Sequence, residues 1–171
     1  HFEIAAIAKK VARKNGKEIL TVSGGVNARA LREHFLSNGF DIIGLGEGER
    51  TIVQIVNQFS SKNPDYSKVE RIAYRKNGKT VVTSAPFRKA TKFVDNESTQ
   101  PAIDAFPLDA YYKIGVPHWG AKTGKVFTGI QTVRGCQDKC TFCHISLEKK
   151  EKDLVGDIGF LKTFSNESIN Q

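Results

Sequence analysis

Methionine is absent from this sequence, and cysteine and tryptophan are rare. The 171 residues contain no methionine, three cysteines and one tryptophan. Without an initiator residue, the sequence is expected to be a piece of a longer enzyme. Three cysteines are too few for a network of disulfides, and too few for a site in which the protein supplies four thiolate ligands.

Several functional classes lack their sequence signals. No stretch approaches the roughly 20 apolar residues of a membrane-spanning helix, so no membrane partner is expected. No phosphate loop and no Ser–His–carboxylate arrangement is visible. His34 is predicted on the solvent side of a helix and His118 beside Trp119, which makes both poor candidates for catalysis.

Basic residues outnumber acidic ones. The sequence has 26 Lys and Arg against 18 Asp and Glu, a net charge of +8, and its hydrophobic content of 39% is enough for a core. Such a surface could attract nucleic acid or phosphorylated ligands. A solvated basic face is the simpler interpretation, so nucleic acid is the less favoured partner.

The three cysteines lie together near the end of the sequence. Cys136, Cys140 and Cys143 follow the spacing Cys-x3-Cys-x2-Cys, which brings three thiolates close enough to converge on one metal centre. Iron–sulfur clusters held entirely by protein take four cysteines, so three would leave one iron open to another ligand. Closely spaced reduced cysteines also predict a reducing, cytoplasmic location.

Two other interpretations of the cysteines remain. His144 could complete a zinc site, although a ligand adjacent to Cys143 would strain the tetrahedral geometry. The other interpretation is a disulfide with one spare thiol, but the odd number of cysteines and their tight spacing suit a metal better.

Residues 1–62 alternate between helical and strand patterns. Helices are predicted at 2–14, at 28–37 with Asn27 as the cap, and at 51–59. Short apolar runs at 18–23 and 40–45 are typical of buried parallel strands. Short joints between these elements imply right-handed crossovers, so the predicted class is α/β, with part of a doubly wound, Rossmann-like domain.

Residues 63–124 are predicted to form a β-hairpin and a linker. Strand patterns at 69–74 and 80–84 flank Asn77-Gly78, a strong signal for a tight hairpin turn. Residues 86–122 are punctuated by prolines and are predicted to be irregular. In residues 125–171, a strand is predicted at 126–134, followed by the cysteine loop and a helix at 153–164.

Both predicted parallel strands run into glycine turns. The first turn is Ser23-Gly24-Gly25, and the second contains Gly46, Glu47 and Gly48. Ligands of open α/β sheets bind at the carboxyl ends of strands, where glycine lets a backbone approach closely. Glycine pairs also form ordinary turns. Glu47 and Glu49 could equally be carboxylates that favour a helix N-terminus, which is the preferred interpretation of Glu49.

A strand that runs into Arg134-Gly135-Cys136, with Cys140, Phe142 and Cys143 after it, resembles the start of a radical S-adenosylmethionine enzyme. The resemblance implies that the three cysteines hold a four-iron four-sulfur cluster whose open iron binds S-adenosylmethionine. An electron from a reductant such as ferredoxin or flavodoxin would then cleave the sulfonium to a deoxyadenosyl radical. Phe142 would lie beside the adenine, and residues 125–171 would begin a β/α barrel.

The two glycine turns resemble those of the cobalamin-binding domain that precedes the barrel in one branch of that family. The resemblance makes residues 1–62 the C-terminal half of such a domain, with a cobalamin cofactor and radical methyl transfer as the reaction. It implies a groove for the cofactor's nucleotide tail, lined by Ser23, Gly24, Gly25, Gly46, Glu47 and Gly48. The half-sheet would leave a parallel edge unpaired, and this piece alone is expected to be inactive.

Two alternative functions stay open. A methylthiotransferase acting on tRNA would suit the basic charge, although such enzymes usually carry a second cysteine trio in their N-terminal domain. A non-catalytic iron–sulfur electron carrier or sensor is the alternative from another class. The sequence does not identify the substrate.

Overall fold

The computed structural model describes residues 1–86, 105–114 and 133–163, and these residues form a mixed α/β structure. The helices in these residues are α1 (Phe2–Lys14), α2 (Gly25–Ala30), α3 (Arg32–Ser37), α4 (Gly48–Phe59), α5 (Leu108–Ile114), α6 (His144–Lys150) and α7 (Lys152–Val155). The strands are β1 (Val22–Ser23), β2 (Ile42–Gly44), β3 (Ile72–Lys76), β4 (Lys79–Val82), β5 (Val133–Arg134) and β6 (Lys162–Thr163).

Four strands form a mixed sheet in the order β1-β2-β3-β4. Strands β1 and β2 are parallel, whereas β3 pairs antiparallel with both β2 and β4. The sequence predicted a partial doubly wound sheet, with the hairpin as a separate segment. The hairpin instead joins the sheet, since β3 pairs with β2, and within the described residues β1 remains an edge strand of the parallel pair.

The sheet has an apolar core on each face, because alternate side chains of a strand point to opposite sides. On one face, Ile43 and Ala73 pack with Phe35 and Leu36 of α3. On the other, Ile42, Ile72 and Tyr74 pack with Ile55 of α4. Helices therefore cover both faces, as in an α/β layer structure.

The crossover from β1 to β2 contains two short helices where the sequence predicted one. Helix α2 begins after Gly24, with Asn27 inside it, and Leu31 interrupts the helix with φ −106° and ψ 31°. The predicted cap at Asn27 is therefore wrong. An extended glycine at position 24 already provides the turn from strand to helix, three residues earlier.

The hairpin prediction is confirmed. Lys76 pairs with Lys79 across the two-residue loop Asn77-Gly78, and these loop residues have φ values of 52° and 75°. Left-handed backbone at both positions is the geometry of a type I′ turn, which Asn-Gly adopts readily.

Helix α1 has the predicted bounds, and it buries alanines while its larger apolar side chains are exposed. Its core-facing residues are Ala5 and Ala12, while Ile4, Ile7 and Val11 are exposed. Phe2 fixes the orientation, since its ring makes edge contacts with Phe35 and Phe40.

Residues 133–163 form a second, smaller unit of structure. Strand β5 pairs antiparallel with β6, and α6 and α7 lie between them in the sequence. The predicted helix at 153–164 is present only at its start, because α7 ends at Val155 and the next residue, Gly156, has a φ of 78°. Residues 162–163 are in β6. Within the described ranges there is no β/α barrel.

The predicted linker contains α5, so it is not irregular throughout. The predictions for residues 87–104, 115–132 and 164–171 lie outside the described residues, including most of the strand at 126–134 and the contact between His118 and Trp119. Among the helices that are described, none is long and apolar enough to cross a bilayer.

Candidate functional site

The two glycine turns lie side by side at the carboxyl ends of β1 and β2. Gly24 precedes α2 and Glu47 precedes α4, so two helices begin at this edge of the sheet. A Cβ at Gly24 would lie 3.8 Å from the carbonyl oxygen of Gly44, which is an ordinary contact. The adjacency predicted for the two turns is therefore present. We call this set of turns, residues 23–25 and 44–49, the glycine edge.

Segment 133–163 docks on the glycine edge through ion pairs. Arg134 Nη1 donates to Glu47 Oε2 at 3.3 Å and to Glu49 Oε1 at 3.1 Å. Lys162, whose side chain is only 4% exposed, donates to Glu47 Oε1 at 2.9 Å and to Asp157 Oδ1 at 3.3 Å. Both carboxylates of the second turn thus bind the segment that carries the cysteines.

The pKa of the Glu49 carboxyl reflects this contact. Burial raises its pKa, but its own backbone N–H and the Arg134 guanidinium outweigh burial, so the pKa lies below its ordinary value. Glu49 also lies in the first turn of α4, as the sequence predicted.

A buried ion pair forms a second connection between the sheet and the segment. Arg29 of α2 donates through Nη2 to Glu148 of α6, and both side chains are about nine-tenths buried. Arg29 Nη1 also donates to the carbonyl of Leu45 at 3.2 Å. Each charge loses its hydration when it is buried this deeply. Such a pair is therefore stable only with good geometry and additional hydrogen bonds.

Arg71 packs where the second glycine turn meets residues 155–156. Its backbone is left-handed, with φ 55°, and its Nε is buried without a hydrogen-bond partner. A Cβ at Gly46 would lie 2.9 Å from Arg71 Cδ and 3.2 Å from the carbonyl of Val155, and one at Gly156 would lie 3.0 Å from Arg71 Nε. The two glycines therefore make room for this side chain.

The cysteine loop begins at a tightly packed glycine. Gly135 has φ 77°, and a Cβ there would lie 2.1 Å from the carbonyl oxygen of Phe160. The next residue, Cys136, donates its backbone N–H to Gly159 at 3.4 Å, and its Sγ accepts from the N–H of Asp138 at 3.4 Å. The first cysteine is thus fixed by contacts with residues 159–160.

The second and third cysteines make more local contacts. Cys143 donates its N–H to the carbonyl of Cys140 at 3.2 Å and precedes α6 as its N-cap. Cys140 is exposed, Cys143 is half-buried, and all three cysteines are free thiols. No disulfide occupies the loop, so the alternative of a disulfide pair is absent from this structure.

The thiols share one loop but do not form a ready-made metal site. In the described part of the chain, no three Cys, His, Asp or Glu side chains are close enough together to hold a metal ion. The donor set still suits an iron–sulfur cluster, since three thiols lie on one loop and residues 135–143 have no helix or strand. Ligation by Cys136, Cys140 and Cys143 stays a prediction.

The remaining predicted residues have distinct surroundings. Phe142 is 91% exposed, so its ring is available to stack on a ligand. His144 is the first residue of α6, and His34 is exposed as predicted, with Phe2 at 5.2 Å edge-on. A Cβ at Gly25 or Gly48 would meet nothing within 4 Å. Gly46 and Glu47 contact other parts of the protein, and their role in cofactor binding stays a prediction.

Sequence reasoning missed Arg29, Arg71, Glu148 and Lys162. Arg29, Glu148 and Lys162 each have a partner more than 100 positions away in the sequence. Arg71 packs between Gly46 and Gly156, which are also distant from it in the sequence. Arg134 did have a sequence signal, because it directly precedes the glycine and cysteine that begin the cysteine motif.

No protein-family model matches the chain, and no curated protein is significantly similar to it.

Proposed function

We propose that this chain is part of a radical S-adenosylmethionine enzyme in which Cys136, Cys140 and Cys143 hold a four-iron four-sulfur cluster. The observation that carries the proposal is the placement of these three free thiols on one loop next to the glycine edge. When bound, such a cluster supplies an electron to S-adenosylmethionine at an iron that no protein ligand occupies.

The chain's own residues support this function in three ways. Cys136 is held at the entrance of the loop, and Cys143 at the start of α6. Phe142 exposes an aromatic face that suits an adenine. The glycine edge offers a backbone surface next to the loop, with open space at Gly25 and Gly48.

The finer description of the fold belongs to the same proposal. We assign the parallel pair β1–β2, with its helices, to a Rossmann-like domain of the cobalamin-binding type, and residues from 125 onward to the first part of a β/α barrel. The cobalamin and the methyl transfer rest on the sequence resemblance, with Ser23, Gly24, Gly25, Gly46, Glu47 and Gly48 as the candidate residues. The barrel also rests on the resemblance, since the β5–β6 pairing is antiparallel. A reducing, cytoplasmic compartment suits the free thiols.

Anaerobic reconstitution tests the cluster. Iron and sulfide at about four each per chain, with visible charge-transfer absorption, are expected for the wild type. Replacing Cys136, Cys140 and Cys143 together by Ala should abolish both. Stoichiometric zinc with no iron would overturn the proposal.

Addition of S-adenosylmethionine separates an enzyme from an electron carrier. The electron paramagnetic resonance signal of the reduced cluster should shift when S-adenosylmethionine binds the open iron, whether or not this piece forms deoxyadenosine. A reduced cluster whose signal ignores S-adenosylmethionine would favour the carrier or sensor.

A further inference from the structure

We infer that Arg134 is a positioning residue that fixes Cys136 in the cysteine loop, and that Glu47 and Glu49 hold Arg134 for this purpose. The role toward a cluster rests on the proposed function, but the labelling test below uses the metal-free protein and does not depend on it. It assigns the two carboxylates of the glycine edge a role toward the cluster loop, in place of direct contact with a cofactor.

The first argument is the fork of hydrogen bonds at Arg134. One guanidinium bridges carboxylates two residues apart, at 3.3 Å and 3.1 Å, and all three side chains are about 30% exposed or less. Both bonds come from Nη1, and two charged acceptors limit where this nitrogen can lie. Glu47 and Glu49 are themselves held by the start of α4, so the anchor belongs to a regular element.

The second argument is the short connection from Arg134 to the thiol. Only Gly135 separates Arg134 from Cys136, and Gly135 is packed against the Phe160 carbonyl with a left-handed backbone. The N–H of Cys136 then binds Gly159. Little backbone freedom therefore remains between the guanidinium and the first thiol.

The third argument is the contrast between the cysteines. The contacts described for Cys140 and Cys143 lie within residues 140–146, with no ion pair to the glycine edge. We therefore expect Cys136 to be in place before the cluster forms, while Cys140 and Cys143 close onto it.

Cysteine labelling in the metal-free protein tests the inference without the cluster. A maleimide is applied to the folded chain, and mass spectrometry follows each cysteine separately. Cys136 is half-buried, like Cys143, so in Arg134→Gln the labelling of Cys136 should rise above its wild-type rate as the loop opens more easily. Labelling of Cys140 should not change, and Arg134→Lys should restore much of the protection.

Two further variants complete the design. Glu49→Gln removes one of the two acceptors and leaves Glu47 in place, so it should produce a smaller rise even if Arg134→Gln folds poorly. Glu33→Gln is the matched control, because Glu33 pairs with Arg75 between α3 and the hairpin at 3.1 Å. It should leave all three labelling rates unchanged.

The reconstituted protein gives an independent readout. Arg134→Gln should release iron to a chelator faster than wild type and change the resonance signature of the reduced cluster. An equal rise at all three cysteines, or no selective rise at Cys136, would overturn the inference and leave the proposed function intact. If the wild type takes up no iron, the proposed function fails, and the labelling still decides whether Arg134 positions Cys136.

Discussion

Individual residues in this protein are constrained most strongly where two backbones meet. Gly135 is the clearest case, since the carbonyl of Phe160 occupies the place of its missing side chain. Its φ of 77° is also a conformation that side chains other than glycine rarely adopt. The glycine that precedes Cys136 is therefore required for packing, whatever the loop binds.

Substitution of Gly135 by Ala should destabilise the docking of residues 133–163. The strained φ alone costs about 1–3 kcal/mol, and the overlap with Phe160 adds to it. Hydrogen exchange should show lost protection across β5 and β6. Gly48→Ala is the matched control, because a Cβ there meets nothing within 4 Å and the residue begins α4. Equal behaviour of the two variants would contradict this account.

Asp41 organises the start of the parallel pair. Its carboxylate accepts from the N–H of Thr21 at 2.8 Å, from the Thr21 hydroxyl at 2.6 Å and from Lys9 at 2.7 Å. Burial raises the pKa of Asp41, but these hydrogen bonds outweigh burial and hold the pKa below its ordinary value of 3.8.

Acid should therefore weaken the fold through Asp41. A carboxyl whose pKa is lower in the folded state contributes stability above its unfolded pKa, and that contribution is lost as pH falls through the folded pKa. The free energy of unfolding, followed from about pH 6 to pH 2, should fall less steeply in Asp41→Asn than in wild type. Thr21→Val should give an intermediate slope, and identical slopes would sink the assignment.

At the scale of elements, residues that follow the same helical apolar pattern differ widely in burial. Ile7 of α1 is 60% exposed, whereas Ile55 of α4 is 2% exposed. Both occupy helical apolar positions, so periodicity alone treats them alike. The difference arises because α1 buries its alanines, with Phe2 packed against Phe35 and Phe40, and leaves Ile7 exposed.

Matched substitutions should expose this difference. Ile55→Ala should lower the free energy of unfolding by about 2–5 kcal/mol, as expected for truncation of a fully buried aliphatic side chain. Ile7→Gln should stay within about 0.5 kcal/mol of wild type. Urea denaturation measures both, and a large loss in Ile7→Gln would mean that α1 packs on its isoleucine face.

At the scale of the whole molecule, buried charge joins the sheet to the cysteine-bearing segment. Arg29 and Glu148 are 119 positions apart in the sequence and meet in the interior. Leu154 also packs against the core that contains Ile43 and Leu45. The segment is thus held by an ion pair and an apolar contact as well as by Arg134.

A double-mutant cycle should reveal the cost of leaving one of these charges alone. Arg29→Met should destabilise by about 3–5 kcal/mol, because Glu148 would remain buried without its partner. Arg29→Met with Glu148→Met should recover much of that loss. The same cycle on the exposed pair Arg75 and Glu33 should give only about 0.2–1 kcal/mol. A negligible coupling between Arg29 and Glu148 would contradict the buried pair.

The cysteine spacing, the bounds of α1, most of α4 and the hairpin were determined by the sequence alone. Each depends on a local rule: the approach of thiols a few residues apart, helical periodicity, or the left-handed preference of Asn-Gly. The glycine edge followed from two such signals in consecutive strand–turn units.

Only the tertiary structure decided how these parts combine. Pairing of β3 with β2 depends on the complementarity of apolar faces, which no local pattern specifies. Helix α7 ends before Gly156, which packs against Arg71, a residue 85 positions away in the sequence. The contacts of Arg134 with Glu47 and Glu49 likewise join distant residues, and their energy exists only once the intervening chain has folded. Local sequence thus encoded the elements and the thiols, whereas contacts between distant residues decided where the thiols lie.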